Sequence, residues 1–290
     1  MATDFALIGG DLRNVKLMEI LASTGNNIYS YGLLPTIKKR EITLCKSPEE
    51  ASSWARCVIG PVPFNVGTVN GKNILQALSS GQIFIGGKIP LDFREDAQKK
   101  EVRVIDILQR DDMAILNAVP TAEGAIQVAM EKLPVTINKC STLITGYGKV
   151  AKALAARIKA LGGLVTICAR KNKDLASAEC NGYEYMNFIE LPKYIGNFTL
   201  LYNTVPHLIF DKILLKNVAE HRTGDRPLVV DLASSPGGVD FAAAKEYGIE
   251  TVHALSLPGK VAPETAAKNM AKVIFNIIKE LTEEATESVN

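Results

Sequence analysis

The first part of the chain alternates short apolar runs with segments of helical pattern. Five apolar runs carry this alternation: FALIGG (5–10), NIYSYG (27–32), CVIGPV (57–62), QIFIGG (82–87) and VRVIDI (102–107). Apolar runs of this length, separated by helical segments, predict parallel strands joined by crossover helices. The pattern therefore predicts an open α/β sheet in this part of the chain.

The alternation stops at residues 111–133, which have a helical pattern on both sides of a proline. In this segment, DDMAILNAVPTAEGAIQVAMEKL, Pro120 interrupts the pattern and Thr121 follows, with Glu123 close behind. Threonine is suited to cap a helix at its amino terminus. We therefore predict a new helix over 121–133 that begins at a domain boundary.

A second alternation follows, and a long amphipathic helix closes the chain. The apolar runs here are CSTLITGYG (140–148), LVTICAR (164–170), FTLLYNTVP (198–206), PLVVDLASSP (227–236) and IETVHALSLPG (249–259). The closing segment has proline and glutamate near its start, as helices often do. We predict an α/β protein with two Rossmann-like open parallel-sheet domains. They are 1–119, with the closing helix 262–287 packing back on it, and a NAD(P)-binding domain at 120–261 that includes the helix 121–133.

Composition is typical of a globular protein that works on small molecules. Of the 290 residues, 47% are hydrophobic and 22% are charged, and the formal net charge is +2. Such a weak net charge provides no strong field to attract nucleic acid or an anionic membrane surface. The amino terminus has no signal-type segment, and no apolar run approaches the ~18 residues of a membrane span. We therefore expect a cytoplasmic protein.

The five cysteines are scattered along the chain and never form a CxxC pair. That spacing argues against a disulfide framework and against a zinc site, so we predict no bound metal. Free cysteines usually pack as small hydrophobic residues, and we expect the same here.

The segment GYGKVA (146–151) lies between an apolar strand and a helical pattern. It satisfies the fingerprint G-x-G-x-x-A: the first glycine permits a tight turn, the second lets the backbone approach a pyrophosphate, and the alanine allows close packing of helix on strand. The helix amino terminus supplies N–H groups and the positive end of a dipole. The predicted dinucleotide-binding residues of this turn are Gly146, Tyr147, Gly148, Lys149 and Val150.

Two basic residues follow the next apolar run, where a NAD site usually has a carboxylate. NAD-binding domains commonly place an acidic residue there against the ribose 2′-hydroxyl. This chain has Arg170 and Lys171 instead, and a guanidinium beside an ammonium suits a 2′-phosphate through charge-assisted hydrogen bonds. The sequence therefore predicts NADP as the cofactor; the alternative is that these are solvated loop charges.

Polar and glycine-rich turns end the three following apolar runs. In doubly wound sheets, ligands lie outside the carboxyl ends of the strands, and glycines there permit close approach of the backbone. The residues expected to contact the cofactor are Asn203, Thr204, Val205, Pro206, Ala233 and Ser234. The residues expected to border the substrate are Pro236, Gly237, Gly238, Pro258 and Gly259.

No histidine stands where a dedicated acid or base is expected. D-2-hydroxy-acid dehydrogenases carry an arginine after the strand occupied here by VVDLASSPGG and a catalytic histidine soon after the last strand, and this chain has neither. Hydride transfer without such a group is feasible when the product ring becomes aromatic. Three residues are candidates for a catalytic role: Lys88, Glu123 and His207.

The first domain and the start of the interdomain helix offer groups that suit the carboxylates of a substrate. The segment GGDLR (9–13) follows the first apolar run and leads into a helix, so its backbone amides and Arg13 suit an anion. Thr121 and Glu123 would face a cleft if the chain is hinged between its domains. The predicted substrate-binding residues here are Asp11, Arg13, Thr121 and Glu123. For Arg13 and for Lys88 the alternative is a surface charge on a loop.

Several longer segments resemble those of the A subunits of dipicolinate synthase from spore-forming Firmicutes. They are LIGGDLR, LQRDDMAILNAVPTAEGAI, GYGKVAKALA, CARKNKDLA, DLASSPGGVDF and LPGKVAPETA. The resemblance extends over nearly the full chain. It implies NADP-dependent oxidation of a dihydrodipicolinate to dipicolinate in the mother cell during sporulation, together with a flavoprotein-like B subunit.

Two other functions fit the same residues. One is a two-lobed NADP dehydrogenase of the shikimate or methylenetetrahydrofolate type, for which Lys88 would be the catalytic lysine. The other is a non-catalytic NADP-binding subunit that depends on its partner for all chemistry. The oligomeric state is left open, with a homo-oligomer as one option.

Overall fold

The computed structural model describes residues 3–67, 69–221 and 227–287. The chain divides into two compact units, one formed by Met1–Leu116 with Ala262–Asn290 and the other by Asn117–Val261. Each unit is built on its own six-stranded sheet. Among helices of the described residues, none is both long and apolar enough to cross a lipid bilayer.

The first unit is an open sheet of parallel strands with helices between them. Its strands are β1 (Phe5–Ile8), β2 (Ile28–Tyr31), β3 (Ile42–Leu44), β4 (Cys57–Ile59), β5 (Ile83–Gly86) and β6 (Arg103–Asp106). The connecting helices are α1 (Leu12–Ser23), α2 (Pro48–Ser53), α3 (Gly71–Ala77) and α4 (Leu91–Lys99). The strands pair in the order β3-β2-β1-β4-β5-β6.

A long helix, α5 (Asp111–Lys132), leads into the second unit, which repeats this plan. Its strands are β7 (Ser141–Thr145), β8 (Leu164–Cys168), β9 (Glu184–Met186), β10 (Leu200–Asn203), β11 (Leu228–Asp231) and β12 (Glu250–His253). The remaining helices are α6 (Lys149–Ala160), α7 (Asn172–Cys180), α8 (Leu191–Tyr194), α9 (Lys212–Glu220), α10 (Phe241–Glu246), α11 (Leu257–Val261) and α12 (Pro263–Glu287). The strands pair in the order β12-β11-β10-β7-β8-β9.

Counted within each sheet, the two strand orders are the same. Both are 3-2-1-4-5-6, the order of dinucleotide-binding folds, which reverses between the first and fourth strands. Apolar clusters lie on both faces of each sheet, so central strands such as β1, β10 and β11 are fully buried. The predicted fold class, two Rossmann-like open parallel sheets, is confirmed.

The sequence pattern does not predict the edge strands β3 and β9. Each is three residues long, lies at an outer edge of its sheet and consists of exposed or half-buried residues. Neither therefore forms an apolar run. The last predicted run, 249–259, is also a strand only as far as His253. Its final residues begin α11, where Leu257 packs into the core of the second unit.

Helix α5 continues without a break through Pro120, so the prediction of a second helix capped by Thr121 is wrong. Proline lacks the N–H that would bond to the carbonyl of Leu116, four residues earlier. Asn269 of α12 donates its Nδ2 to that carbonyl at 3.2 Å, and Thr121 Oγ1 donates to Asn117 O at 2.6 Å. A side chain from a distant segment thus satisfies the backbone group that proline leaves free.

The cysteines follow the expectation of burial only in part. Cys57, Cys140 and Cys168 are buried, whereas Cys180 is exposed at the end of α7. Burial raises the pKa of Cys57 and of Cys168 to about 12. These two thiols are therefore inert packing groups at neutral pH.

Arg110, in the segment LQRDD, joins the start of α5 to α12. Its guanidinium donates twice to Asp112, at 3.0 Å each, and twice to Glu280, at 2.8 Å each. These hydrogen bonds lower the pKa of both carboxyl groups. Part of the segment LQRDDMAILNAVPTAEGAI therefore has a structural task, which is to fix α12 within the first unit.

Replacing Arg110 with glutamine is expected to lower the midpoint of thermal unfolding at pH 7. Loss of a partly exposed charge network costs about 1 kcal/mol, or roughly 2–4 °C for a unit of this size. Because the carboxyl pKa values are lowered in the folded protein, the stabilisation is complete above their unfolded values of about 4. It is lost as the pH falls through the lower folded values.

The measurement is a series of thermal melts of wild type and variant between pH 7 and pH 3. The difference between their midpoints should shrink as the pH falls. A matched control is Lys99→Gln, because the Lys99–Asp96 pair is exposed to solvent and should contribute little at any pH. If the difference in unfolding midpoint between wild type and Arg110→Gln stayed constant with pH, the assigned role of the Arg110 hydrogen bonds would be contradicted.

Candidate nucleotide site

The turn after β7 has a backbone conformation that requires its first glycine. Gly146 has φ +88°, in the left-handed region that favours glycine, and its N–H donates to Cys168 O at 2.8 Å. A side chain at this position would begin 2.6 Å from Thr204 Oγ1. Backbone conformation and lack of space therefore both select glycine here.

The second glycine of the turn, Gly148, is the N-cap of α6 and faces open space. No heavy atom outside its chain neighbours lies within 4 Å of the position that a Cβ would take, and no side chain caps the helix. The N–H groups of a first helical turn and the helix dipole attract anions. Ala151 is fully buried against the sheet, while Lys149 is exposed and Val150 half-buried. This turn fits a pyrophosphate.

Tyr147, between the two glycines, points its side chain into the protein. It is 6% exposed, its ring meets that of Tyr183 edge-on at 6.3 Å, and the Lys152 ammonium lies 5.1 Å from its centroid. Burial raises the pKa of its hydroxyl. The predicted contact of Tyr147 with a cofactor is therefore available to its backbone only.

The equivalent turn of the first unit is closed by the chain itself. A side chain at Gly9 would begin 3.0 Å from Val69 Cβ, and one at Gly67 would begin 2.6 Å from Gly10 O. Asp11 caps α1 with its carboxylate, which places a negative charge where a phosphate would bind. The two sheets share a strand order, but only the turn of the second unit has room for an anion.

Arg13, predicted to bind a substrate anion, is paired with Asp11. Its Nε donates to the two carboxylate oxygens at 3.0 and 3.1 Å, and its Nη2 donates to Oδ2 at 2.6 Å. Arg13 is only 7% exposed. The two charges are paired within the first unit, so an anion at Arg13 would have to bind beside the Asp11 carboxylate.

Arg170 and Lys171 lie just beyond the end of β8. This strand pairs with β7 so that Cys168 stands opposite Thr145, and the loop that carries the two cations therefore begins beside the glycine turn. Both side chains are exposed, and Lys171 is the N-cap of α7 without a side-chain capping bond. Within the part of the chain that the structure describes, neither side chain has a hydrogen-bond or ion-pair partner.

A row of polar residues forms the carboxyl ends of four adjacent strands. Thr145, Asn203, Asp231 and His253 are the last residues of β7, β10, β11 and β12, and each stands opposite the next in the strand pairing. The first three are fully buried. Sequence reasoning singled out only Asn203; the overlooked signal was that each apolar run ends on one polar residue before its turn.

The side chain of Asn203 uses its full hydrogen-bonding capacity inside the protein. Its Oδ1 accepts from Thr145 Oγ1 at 2.7 Å and from Val205 N at 3.1 Å. Its Nδ2 donates to Val205 O at 2.9 Å and to Asp231 Oδ1 at 2.8 Å. Asn203 therefore shapes the following loop, in which Thr204 Oγ1 donates to Thr145 O at 2.7 Å and Pro206 is exposed.

The loop after β11 wraps around the carboxylate of Asp231. Ala233 N and Gly238 N donate to this carboxylate at 3.1 and 2.8 Å. Side chains at Gly237 and Gly238 would begin 2.6 Å from Asp231 Oδ2 and 2.2 Å from Asn203 Nδ2, so both positions require glycine. The residues of this loop that remain exposed are Ser234, Ser235 and Pro236.

Lys88, two residues after the end of β5 in the first unit, has an unusual backbone conformation. Its φ is +54°, which non-glycine residues rarely adopt outside sites that hold them in place. The buried carboxylate of Asp106 accepts from Lys88 N at 3.1 Å, from Ile89 N at 3.0 Å and from Arg94 Nη2 at 2.8 Å. Unlike Arg13, Lys88 keeps an exposed cationic side chain.

The remaining predicted residues lie in several different places. Glu123 is exposed on α5 and accepts from Arg157 Nε at 3.2 Å. Pro258 and Gly259 are half-buried within α11. His207 is exposed, and its N–H donates to Val205 O at 2.8 Å. Of the three catalytic candidates, His207 is the one in the loop after β10. The same loop carries the predicted cofactor residues 204–206.

Comparison with known proteins gives a match to one family model, a similar protein and several similar solved structures. Residues 4–108 match the family of the amino-terminal domain of the dipicolinate synthase A subunit. Over 293 residues, the chain is 27% identical to the dipicolinate synthase A subunit of Bacillus subtilis (strain 168), covering 96% of this chain and 97% of that protein. The crystal structure of the Bacillus subtilis protein superposes with a TM-score of 0.85 at 26% identity, over 98% of both chains.

The second solved structure is the dipicolinate synthase A subunit from Bacillus halodurans. It gives a TM-score of 0.84 at 25% identity, over 95% of this chain and 97% of the other. An L-alanine dehydrogenase, at 14% identity and a TM-score of 0.66 over 97% of this chain and 91% of that one, shares the fold. The resemblance predicted from the sequence is therefore confirmed: residues 4–108 match the amino-terminal domain of the dipicolinate synthase A subunit, and the chain is similar to that subunit over nearly its whole length.

Proposed function

We propose that this chain binds NADP at the carboxyl edge of its second sheet and oxidises a dihydrodipicolinate to dipicolinate, pyridine-2,6-dicarboxylate, for spore formation. Similarity to the dipicolinate synthase A subunit supports the substrate. The proposed partner is the flavoprotein-like B subunit, and the proposed location is the mother-cell cytoplasm. The dicarboxylate substrate and this partner both follow from the likeness to that synthase.

The observation that carries the proposal is the contrast between the two glycine turns. The turn at Gly148 is open and its helix is uncapped, whereas the turn at Gly9 is filled by Val69 and its helix is capped by Asp11. An uncapped helix amino terminus beside a glycine without steric neighbours suits a pyrophosphate. A dinucleotide is therefore assigned to the second unit only.

The choice of NADP over NAD rests on the charges beside this turn. Arg170 and Lys171 are exposed, lack partners in the described part of the chain and follow the strand next to the turn. Two cations in this position favour a 2′-phosphate over a bare 2′-hydroxyl. Lys173, on the first turn of α7, adds a further exposed cation.

The task of the protein in this reaction is mainly to position the reactants. Bound NADP+ supplies the hydride acceptor for a dihydropyridine ring, which becomes aromatic on losing a hydride and a proton. Asn203 and Asp231 hold the loops at the strand ends in fixed conformations, so the site is ordered before ligands bind. Because aromatisation drives the reaction, the ring proton leaves to water and no dedicated base is assigned.

The test is an assay of the purified chain, alone and with the B subunit. The reaction is supplied with NADP+ and with dihydrodipicolinate derived from the lysine-pathway intermediate. Pyridine absorbance and NADPH absorbance are followed in the same cuvette. The expected result is that dipicolinate and NADPH appear together in equal amounts. Formation of the pyridine without NADPH would contradict the proposal and favour a non-catalytic nucleotide-binding subunit.

The backbone conformation of Lys88 gives the alternative dehydrogenase function a specific test. If a shikimate- or methylenetetrahydrofolate-type reaction used Lys88 as its catalytic lysine, Lys88→Ala would abolish turnover and leave NADP binding intact. We expect instead that Lys88→Ala raises the KM for the dicarboxylate, because an exposed cation held in place by Asp106 suits a carboxylate, while measurable turnover remains. Lys72→Ala, on another exposed lysine of the first unit, is the matched control.

A further inference from the structure

A buried carboxylate lies at the carboxyl edge of the second sheet without a cation to pair with it. Asp231 is fully buried. Its Oδ1 accepts from Asn203 Nδ2 at 2.8 Å and from Ala233 N at 3.1 Å, and its Oδ2 accepts from Gly238 N at 2.8 Å. Both oxygens therefore act as acceptors, which fits the ionised form, and all three donors are neutral.

The described part of the chain contains no lysine or arginine in an ion pair with Asp231. A buried charge without an opposite charge nearby is unfavourable even when it is hydrogen-bonded. His253 is its neighbour in the strand pairing, and both Asp231 Oδ2 and His253 Nε2 lie within 3.5 Å of the point where a side chain at Gly237 would begin. His253 Nε2 is nevertheless buried without any hydrogen-bond partner. It therefore does not donate to Asp231.

The proposed function puts the pyrophosphate at the turn after β7 and the 2′-phosphate beside β8, so the nicotinamide half of the dinucleotide would extend the other way, over β10 and β11. Asp231 lies at that place. It ends β11, between the loop that follows Asn203 and the loop of Ala233 and Gly238. Ligands of doubly wound sheets lie outside the carboxyl ends of the strands. The negative charge therefore lies beneath the two loops that would border the nicotinamide.

We propose that Asp231 is the counter-charge of the oxidised nicotinamide and makes the site selective for NADP+ over NADPH. This inference rests on the proposed function. The nicotinamide ring is a cation in NADP+ and neutral in NADPH, while the rest of the dinucleotide is the same. A fixed anion close to the ring attracts only the oxidised form, and the attraction is strong where protein excludes water. Asp231 is thus a specificity-determining residue that favours the oxidant.

The experiment measures the Kd of NADP+ and the Kd of NADPH for wild type and for Asp231→Asn, by calorimetry on the full chain. Removing the charge should raise the ratio of the NADP+ Kd to the NADPH Kd roughly tenfold. A residue that only shaped the loops would weaken both ligands by the same factor. The ratio therefore separates electrostatic selectivity from loss of structure, and an unchanged ratio overturns the inference.

Three further variants keep the test decisive. Asp231→Ser removes the charge without directing an amide at the backbone donors, and it replaces Asp231→Asn if that variant does not fold. Asp231→Glu keeps the charge and should keep the wild-type ratio even if both affinities fall. Asp240→Asn is the matched control, because Asp240 caps α10 and asparagine caps equally well. Failure of the wild type to bind either nucleotide would overturn the proposed function and this inference with it.

Discussion

Replacing Gly148 with aspartate should weaken the binding of NADP and NAD alike by at least roughly 100-fold, without destabilising the protein. Gly148 has an ordinary extended N-cap conformation, φ −82°, and no neighbour in the way of a side chain. Aspartate is a preferred N-cap residue, so it should stabilise α6 by a few tenths of a kcal/mol. Its carboxylate would occupy and repel the pyrophosphate, and 100-fold corresponds to about 2.7 kcal/mol.

The measurement pairs a thermal melt with titrations of both dinucleotides. The variant gives the second unit the kind of acidic cap that Asp11 provides in the first. A matched control is Pro90→Asp, because Pro90 is the N-cap of α4 and makes no side-chain capping bond; it should leave both affinities unchanged. Retained nucleotide affinity in Gly148→Asp, with the variant fully folded, would show that this turn does not hold the pyrophosphate.

The second large effect is expected from Arg170→Asp, which should weaken NADP binding roughly 100-fold and NAD binding only slightly. The guanidinium is exposed and lacks a partner in the described residues, so its loss leaves no other charge unpaired. The substitution removes a charge-assisted hydrogen bond to the 2′-phosphate, about 1.5–3 kcal/mol. The new carboxylate also repels that phosphate, whereas it suits the 2′-hydroxyl of NAD.

Competition titrations of wild type and variant with each nucleotide measure this effect. Arg40→Asp is the control, since the Arg40 side chain is 95% exposed in the first unit and undergoes the same change of charge. Equal losses for NADP and NAD would mean that Arg170 acts through general electrostatics or through folding. The choice of NADP would then have no support at this position.

Features that depend on neighbouring residues in the chain could be predicted from the sequence. The ten apolar runs each contain a strand, and the central strands, such as β1, β10 and β11, are apolar along their length because they are buried on both faces. The fingerprint turn at residues 146–151 was predictable for a similar reason, since two glycines and an alanine at fixed spacing act within a single strand–turn–helix unit. Arg170 could be located by counting onward from that turn.

Features that depend on distant residues could not be predicted in this way. The segment GGDLR of the first unit has the same local appearance as an anion site, but Val69 and Gly67 fill the space above it. Helix α5 continues through Pro120 because Asn269 donates to Leu116 O. In each case the deciding contact comes from another part of the chain.

The sequence by itself determined two Rossmann-like sheets and a dinucleotide turn in the second. The apolar character of a strand and the glycines of a turn are properties of neighbouring residues, so residue pattern and spacing predict them directly. Only the tertiary structure decided which glycine turn is open, and only it brought Thr145, Asn203 and Asp231 into one buried row. The physical reason is that burial and hydrogen bonding between strands depend on pairing partners. Nothing in the sequence around Asp231 shows that its carboxylate is buried. The burial arises because β10, β11 and the loop after β11 enclose it.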